Sequence, residues 1–224
     1  YQPKAFFLEN VKGLAIHDKG KTLKTILNTL NEVGYVVPEP QIVNAMFFGV
    51  PQHRERIYIV GFRKDLGLTA EDFSYPEQKE VTKKWIDVRE ENPVPAKYYL
   101  STTYQQTLIK HKARHAAKGN GFGYDIIPDD GIAHAIVVGG MGRESNLVID
   151  FRQKDLTPTT NIKGTVNTDG WRKMTPREWA RLQGYPDNFK IVVADASAYK
   201  QFGNSVAVPA IQATATQLLK SLTD

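Results

Sequence analysis

The chain has 224 residues, with 29 basic and 24 acidic side chains, a formal net charge of +5 and an isoelectric point near 9.2. This balance suits a polyanionic partner such as DNA, although many globular proteins carry a similar excess. The sequence contains no cysteine, which excludes disulfides, thiolate metal sites and a catalytic thiol within these residues. No apolar run approaches the roughly 20 residues that span a bilayer, and the first residues do not look like a signal peptide. We therefore take the cytoplasm as the default compartment, and the absence of an initiator methionine predicts that the chain begins inside a longer polypeptide.

The first third of the chain predicts alternating strands and a helix. The expected elements are a strand at 5–11, a helix at 22–33 capped by Gly34, and strands at 35–37, 41–43 and 57–62. The first strand is apolar and ends in polar residues, which is typical of a buried parallel strand that delivers side chains to a site. Strand, helix and strand at this spacing predict an α/β fold.

The sequence changes character after Leu66. Residues 67–171 are rich in proline and glycine, show no long amphipathic helix, and contain short strand-like runs at 135–138 and 146–149. We interpret them as an insertion of loops and short strands. Regular structure is expected again from Thr175, where an N-cap, Pro176 and Glu178 predict a helix that Gly184 ends. Residues 206–222 predict a packed helix.

Polar residues near two predicted strands are candidates for chemistry. Glu9 and Asn10 end the first strand, where a desolvated carboxyl group could donate a hydrogen bond to a substrate ring nitrogen, or could simply be a satisfied buried carboxylate. Gln52, Arg54 and Arg56 alternate, so they are expected on one face. Two guanidinium groups there suit a phosphate or a carbonyl oxygen, but a solvated basic strand edge is about as plausible.

Three further features could bind ligands. Asn204 and Ser205 open an apolar stretch, where a helix N-terminus would favour an anion, although both are ordinary cap residues. Between Ser101 and Tyr124 the sequence has no acidic residue, and the basic side chains could face a DNA backbone or only solvent. The candidate DNA contacts are Gln52, Lys110, Lys112, Arg114 and, in a glycine-rich turn at 139–143, Arg143. The histidines lack a convincing metal spacing, so no metal is predicted.

Four segments in order are more specific than any single motif. They are Phe7-Leu8-Glu9-Asn10-Val11, Pro51-Gln52-His53-Arg54-Glu55-Arg56, Arg177-Glu178-Trp179-Ala180-Arg181-Leu182-Gln183-Gly184-Tyr185-Pro186-Asp187 and Gln201-Phe202-Gly203-Asn204-Ser205-Val206. Together they resemble the later motifs of DNA cytosine-C5 methyltransferases of bacterial restriction-modification systems. The resemblance covers residues 5–66 and 172–215, and the segment between them occupies the place of that family's variable target-recognition domain.

The resemblance implies a fold, a reaction and a set of partners. The fold would be α/β, part of a Rossmann-like S-adenosylmethionine-dependent methyltransferase domain, plus a smaller β- and loop-rich target-recognition domain. The implied limits are 1–66 for the second half of the catalytic domain, 67–171 for the recognition domain, and 172–224 for its base and the return to the catalytic domain. The partner would be double-stranded DNA at the bacterial nucleoid, and the reaction DNA methylation of a cytosine flipped out of the duplex.

The resemblance also implies residue roles. Glu9 would bond N3 and the exocyclic amine of the cytosine, with Asn10 helping to place it. Arg54 and Arg56 would hold the cytosine O2 and nearby backbone, with Gln52 bracing the segment. Asn204 and Ser205 would line the S-adenosyl-L-methionine pocket. Arg177, Glu178 and Arg181 would organise the base of the recognition domain.

The chain departs from the family in what it lacks. The glycine-rich cofactor loop and the Pro-Cys segment, whose thiol attacks C6 of the cytosine, are absent from these residues. The chain is therefore expected to be the carboxyl-terminal part of such an enzyme, inactive without an amino-terminal portion from the same polypeptide or a separate subunit. The recognition-domain threonine and aliphatic pair is replaced here by Ala135-Ile136. The alternatives are a non-catalytic, sequence-specific DNA-binding module and an enzyme relic that scaffolds another protein.

Overall fold

The computed structural model describes residues 1–139, 142–157 and 164–223, and the fold is mixed α/β. The strands are β1 Ala5–Val11, β2 Tyr35–Val36, β3 Gln41–Asn44, β4 Gln52–His53, β5 Glu55–Arg63, β6 Ala133–His134, β7 Leu147–Ile149 and β8 Trp171–Lys173. The α-helices are α1 Lys21–Glu32, α2 Thr102–Ala116, α3 Pro176–Leu182, α4 Asp195–Asn204 and α5 Val208–Ser221. Among the described residues, no helix has the length and apolar character needed to cross a membrane.

The chain forms two compact units. The first unit comprises Tyr1–Gly49, Arg54–Val81 and Val208–Asp224, and the second comprises Val50–His53 and Thr82–Ala207.

The first unit is built on β5, which pairs antiparallel with β1, β2 and β3. The pairing of β1 runs from Ala5 opposite Phe62 to Val11 opposite Arg56. The expectation of a buried parallel strand at 5–11 is therefore wrong in both respects, since Leu8 and Val11 are 43% and 54% exposed. An apolar run indicates a strand, but the direction of pairing depends on which strand lies beside it.

The core of the first unit lies on one face of β5. Val60 and Phe62 of β5 pack with Phe73, and the partly buried Leu68 and Tyr75 join the same cluster, as does Leu218 of α5. Residues 67–81, which the sequence places in the recognition domain, therefore pack within the first unit because their apolar side chains cover this face. The predicted helices at 22–33 and 206–222 are confirmed as α1 and α5.

The second unit has its main core around α3 and α4. Trp85, Trp179, Leu182 and Phe202 are buried in this cluster. The predicted start and end of α3 are confirmed: Thr175 and Glu178 form a reciprocal capping box, Pro176 is the first helical residue, and Gly184 adopts a φ of 78° just past the end. Only a residue without a Cβ accepts this conformation at little cost.

Two sequence expectations for residues 67–171 are wrong. The 15-residue helix α2 lies where no long amphipathic helix was expected, because only Gln105 and Leu108 are buried and two positions do not make a recognisable stripe. The run at 135–138 is not a strand, since β6 ends at His134 and the Ile136 amide donates to the Gln52 side chain instead of a neighbouring strand. The strand expected at 146–149 is confirmed as β7.

Candidate active site

A carboxyl group, two guanidinium groups and a phenol gather at one end of the β1–β5 pair in the first unit. Glu9 lies directly opposite Tyr58, and Arg56 lies two residues away from Tyr58 along β5, so all three side chains share one face. Arg56 Nε lies 3.1 Å from Glu9 Oε1. The side chains of Arg56 and Glu9 are only 15% and 24% exposed, so this ion pair is sheltered but still reachable from solvent.

The charges of this cluster influence one another. Burial, together with the positive charge of Arg56 and against the opposing attraction of Glu9, lowers the pKa of Arg54 to about 10. Arg54 therefore still carries its charge at pH 7. Burial and the nearby Glu9 raise the pKa of Tyr58, which keeps its phenol neutral. The cluster thus combines two cations, one carboxyl group and a neutral hydroxyl.

Two side chains of the first unit complete this arrangement but were not predicted as site residues. The Asn44 side chain accepts hydrogen bonds from the Arg54 amide at 3.1 Å and the Met46 amide at 3.3 Å. The Ala45 amide donates to the Arg54 carbonyl at 2.9 Å, so the backbone at Arg54 is held from both sides. Asn44 gave no signal, whereas Tyr58 could have been found by extending the alternation of Arg54 and Arg56 by two residues.

Asn10 does not join the cluster. It lies opposite Ile57, so strand alternation places its side chain on the other face from Glu9. Its Oδ1 accepts the Val11 amide at 2.8 Å. The side chains of Asn10 and Glu9 therefore lie on opposite faces, and a catalytic role for Asn10 stays a prediction.

Gln52 has an internal structural role in the second unit. Its Nε2 donates to the Leu182 carbonyl at 2.8 Å and to Gln183 Oε1 at 3.2 Å, and its Oε1 accepts the Ile136 amide at 3.0 Å. The residue is fully buried. Gln52 therefore has no exposed surface for DNA in this structure, and its contact with DNA stays a prediction. The continuous face predicted from Gln52 to Arg56 is interrupted at Arg54, between β4 and β5.

A fully buried ionic network organises the second unit. Arg172 donates two parallel hydrogen bonds of 2.8 Å to the Glu178 carboxylate and one of 3.0 Å to Asp150. All three side chains are 0% exposed. Glu178 also accepts the amides of Thr175 and Glu90, at 2.7 Å and 3.1 Å.

Two arginines of α3 bond to the loops that lie beside this helix. Arg181 pairs with Asp187 and donates to the Val88 and Arg89 carbonyls, and Arg177 Nη2 donates to the Phe189 carbonyl at 2.7 Å. These bonds tie α3 to neighbouring loops. Their geometry is that of structural residues.

The predicted basic segment is the exposed, carboxyl-terminal half of α2. Lys110 and Arg114 are exposed. Lys112 instead bridges the helix to the following loop, because its amine donates to the Tyr124 carbonyl at 2.9 Å and lies 4.7 Å from the centre of the Tyr124 ring. Arg143 is exposed, with its guanidinium 5.4 Å from the Tyr199 ring centre. Gly140 and Met141 of the predicted turn lie outside the described residues.

Asn204 and Ser205 lie at the end of a helix, not at its beginning. Asn204 is the last residue of α4 and Ser205 is its C-cap, so the predicted anion site at a helix N-terminus is wrong. Helix α4 was missed because its apolar positions do not form a clear stripe in the sequence. The Ser205 hydroxyl donates to the Phe202 carbonyl at 2.9 Å, and Asn204 is exposed.

The neighbouring Gly203 of α4 permits a close approach. A Cβ added there would lie 2.7 Å from Val138 Cγ2 and 3.2 Å from the Val138 amide nitrogen. The glycine of this motif therefore lets the helix contact the backbone of the Val138 segment. No group of three or more potential metal-binding side chains occurs in the part of the chain that the structure describes.

This chain is similar to known proteins along nearly its whole length. Residues 1–220 match the family described as C-5 cytosine-specific DNA methylase. The chain is 71% identical over 223 residues to the Type II methyltransferase M.HpaII of Haemophilus parainfluenzae, which covers 99% of this chain and 62% of that protein. It is 41% identical over 221 residues to M1.ScrFI of Lactococcus lactis subsp. cremoris, which covers 99% and 53%. The chain thus spans between half and two thirds of the length of these relatives.

Solved structures share the fold. The Entamoeba histolytica methyltransferase EhMeth aligns with a TM-score of 0.67 at 21% identity, over 100% of this chain and 63% of that one. The S. pombe Dnmt2 methyltransferase aligns with a TM-score of 0.62 at 18% identity, over 99% of this chain and 68% of that one. The match along nearly the whole sequence shows that the chain belongs to the C-5 cytosine-specific DNA methylase family.

Proposed function

We propose that this chain is the carboxyl-terminal part of a DNA cytosine-C5 methyltransferase, which transfers a methyl group from S-adenosylmethionine to a flipped-out cytosine in a specific duplex sequence. The observation that carries the proposal is the cluster on one face of β1 and β5, where Glu9 pairs with Arg56 beside the charged, buried Arg54. Two relatives, 71% and 41% identical to this chain over 99% of its length, are Type II methyltransferases, which supports the proposal.

The cluster matches the polar edge of a cytosine. N3 accepts and the exocyclic amine donates, so one carboxyl group can bond both when N3 is protonated. The O2 atom is an acceptor that suits a guanidinium group, which stays charged and offers fixed N–H donors. Glu9 therefore holds the ring nitrogen and amine, and Arg54 and Arg56 hold O2 and the adjacent backbone. These atoms are accessible to such a site only when the base has left the stack.

The two units have different roles in this proposal. The first unit is part of the Rossmann-like catalytic domain, and the second contains the target-recognition domain, with Lys110, Arg114 and Arg143 as phosphate contacts. Lys112 orders the loop that follows α2 through the Tyr124 carbonyl. Gln52 and the Arg172–Glu178 network form the framework of the second unit.

Asn204 and Ser205, the residues proposed to bind S-adenosylmethionine, lie at the carboxyl end of α4. The negative end of a helix dipole favours cationic groups, and S-adenosylmethionine carries a sulfonium and an ammonium group. The exposed Asn204 amide and the Ser205 segment lie at this end and are the residues that would hold it. When bound, the cofactor supplies the methyl group. The attacking thiol is not among these residues, since the chain has no cysteine, and the chain by itself is expected to be inactive.

A complementation experiment tests the proposal. The part of M.HpaII that lies outside the matched 223 residues is purified and mixed with this chain, and transfer of labelled methyl from S-adenosylmethionine to duplex DNA is measured. The mixture is expected to transfer methyl, whereas either polypeptide alone is not. The same split of M.HpaII itself serves as the positive control. If the positive control transfers methyl but the mixture with this chain does not, and this chain still binds DNA selectively, the result would favour the non-catalytic DNA-binding alternative.

The role of Glu9 has its own test. Glu9→Gln removes the carboxyl group that stabilises a protonated N3 while keeping the size of the side chain, so methyl transfer by the mixture should fall at least about 100-fold. DNA affinity should change by less than about threefold, because the cytosine pocket contributes little to phosphate contacts. Glu32→Gln, an exposed change on α1, is the matched control and should leave turnover unaltered. Equal turnover of Glu9→Gln and the parent would remove the assignment.

A further inference from the structure

Two cavities of the second unit have Val137 and Gly139 in common among their lining residues. The larger, of about 530 Å³, is also lined by His111, His115 and the loop Gly121–Gly123. The smaller, of about 240 Å³, is also lined by Arg143, Trp179, Tyr199 and Lys200. None of the described residues that line either cavity is acidic. Both cavities adjoin Val137 and Gly139, and we call the surface around these two residues the Val137 face.

The larger cavity holds a pair of imidazoles with unused hydrogen-bonding capacity. His111 and His115 are four residues apart on α2, so they lie on the same side of the helix, and their ring centres are 4.4 Å apart. Each Nδ1 is buried and has no hydrogen-bond partner among the described residues. Buried polar atoms are nearly always satisfied, so two that line a cavity indicate a ligand with matching donors and acceptors.

An aromatic wall completes this cavity. The Phe122 ring is 67% exposed and its centre lies 5.8 Å from that of His115, at an interplanar angle of 78°. A large aromatic ring that is this exposed often marks a surface where a ligand or partner binds. The cavity therefore offers flat apolar surface beside polar ring nitrogens, a combination that suits a heteroaromatic ligand such as a nucleobase.

The surrounding positive charge favours an anionic ligand such as nucleic acid over a cation. Lys110, Arg114 and Lys118 surround the two histidines, and no acidic residue occurs between Ser101 and Tyr124. Burial, together with the positive charges of His111, Arg114 and Lys118, lowers the pKa of His115. A neutral imidazole has one donor and one acceptor nitrogen, which can read the edge of a base, whereas phosphates are better served by the permanent cations at the rim.

The smaller cavity adds cations to the Val137 face. The Arg143 guanidinium is held 5.4 Å from the Tyr199 ring centre, and Lys200 is exposed on α4. Asp195 on the same helix is neutralised by Lys97 at 2.7 Å. By contrast, another cavity of this unit is lined by Asp129 and Asp150, so among these cavities the Val137 face suits a polyanion better.

We propose that the Val137 face is the surface through which this chain reads DNA, and that His111 and His115 are specificity-determining residues that contact base edges. Lys110, Arg114, Arg143 and Lys200 contact backbone phosphates on either side. This inference rests on the proposed function, which makes DNA the partner. It adds His111, His115 and Lys200 to the DNA contacts proposed there.

Binding and sequence selection are measured on the chain alone and on the mixture with the remaining part of M.HpaII. The variants are His111→Ala with His115→Ala, and Lys110→Ala with Arg114→Ala. His134→Ala is the matched control, because the His134 ring pairs with Asp125 and lines neither cavity. Far-ultraviolet circular dichroism and urea unfolding show whether each variant is folded.

The two kinds of contact predict different results. Removing Lys110 and Arg114 should weaken binding to all duplexes and reduce the slope of log affinity against log salt by about two. Removing the histidines at pH 7.5 should leave the salt slope unchanged but relax base preference at one or two positions by roughly tenfold or more in selection from a randomised duplex pool. His111→Gln with His115→Gln, which retains a donor and an acceptor at each position, should keep part of the base preference that the alanine variant loses.

Three outcomes would overturn the inference. One is an unchanged base preference in a folded double-histidine variant. Another is a loss of affinity in that variant with a reduced salt slope, which would make the histidines phosphate contacts. The third is a wild-type chain with no base preference in either form. Methyl transfer with unchanged preference would overturn this inference alone, whereas selective binding without transfer would overturn only the proposed function.

Discussion

The buried carboxylate of Glu178 offers the sharpest test of how the second unit is held together. In Glu178→Gln the side chain keeps its size, so no cavity forms, but the negative charge opposite Arg172 disappears. The carboxylate accepts four hydrogen bonds, two from Arg172 and one each from the amides of Thr175 and Glu90. An amide oxygen can continue to accept two of them, whereas the amide nitrogen would face the other two donors.

The size of the effect follows from these contacts. A hydrogen bond to a charged group is worth about 1.5–3 kcal/mol, and breaking one partner of a buried ion pair costs about 3–5 kcal/mol. Asp150 remains as a second carboxylate for Arg172, at 3.0 Å, which limits the loss. We therefore expect the free energy of unfolding to fall by about 3 kcal/mol, a large fraction of the stability of an ordinary domain.

Urea unfolding at pH 7, followed by tryptophan fluorescence, measures this change. The three tryptophans, Trp85, Trp171 and Trp179, all lie in the second unit, so the signal reports that unit. Glu91→Gln, at an exposed carboxylate of the same unit, is the control and should change the free energy of unfolding by less than about 0.5 kcal/mol. Arg172→Met combined with Glu178→Gln should destabilise by less than the sum of the single changes, because the two side chains act as a pair. A loss below about 1 kcal/mol in Glu178→Gln would refute the buried pairing.

Three further predictions concern the same unit. Thr175→Ala removes the N-cap of α3 and should lower the free energy of unfolding by about 1 kcal/mol, with Thr175→Ser nearly neutral. Gly203→Ala should destabilise by about 1–3 kcal/mol although alanine favours helices, since its Cβ meets Val138; an unchanged or higher stability would contradict the close approach. Burial opposes, but the hydrogen bonds and charges of Arg152 and Arg172 outweigh it and hold the pKa of Asp150 well below its usual range. The contribution of Asp150 to the free energy of unfolding is therefore complete above its ordinary pKa of 3.8 and is lost as the pH falls below it. In urea titrations at acid pH, the difference in free energy of unfolding between the parent chain and Asp150→Asn should therefore shrink.

Part of the fold and part of the site follow from local sequence signals. The ends of α3 were predictable because Thr175, Pro176 and Glu178 satisfy helix-end groups within a few residues, and Gly184 supplies a left-handed φ. The strands on either side of α1 were predictable from apolar runs. Helix α2 was not, because a helix with two buried residues has too narrow a stripe to recognise.

The candidate site shows the same division. Glu9, Arg54 and Arg56 could be selected from their motifs, but their partners could not. The Arg56–Glu9 ion pair depends on the register that sets Val11 opposite Arg56, and a shift of one residue would turn Glu9 to the other face, where Asn10 now lies. Tyr58 enters the cluster for the same reason, whereas Asn44 acts on it only through the backbone of Arg54.

The sequence by itself determined the family, the order of most elements and which residue types could do chemistry, because those depend on spacings of a few residues. Tertiary structure decided which of them meet. Gln52 became a buried brace for Leu182 and Ile136, Asn204 ended a helix instead of starting one, and His111 with His115 came to line a cavity beside Val137. Contacts between residues far apart in sequence depend on strand register and helix packing, and a single sequence carries no local signal for either.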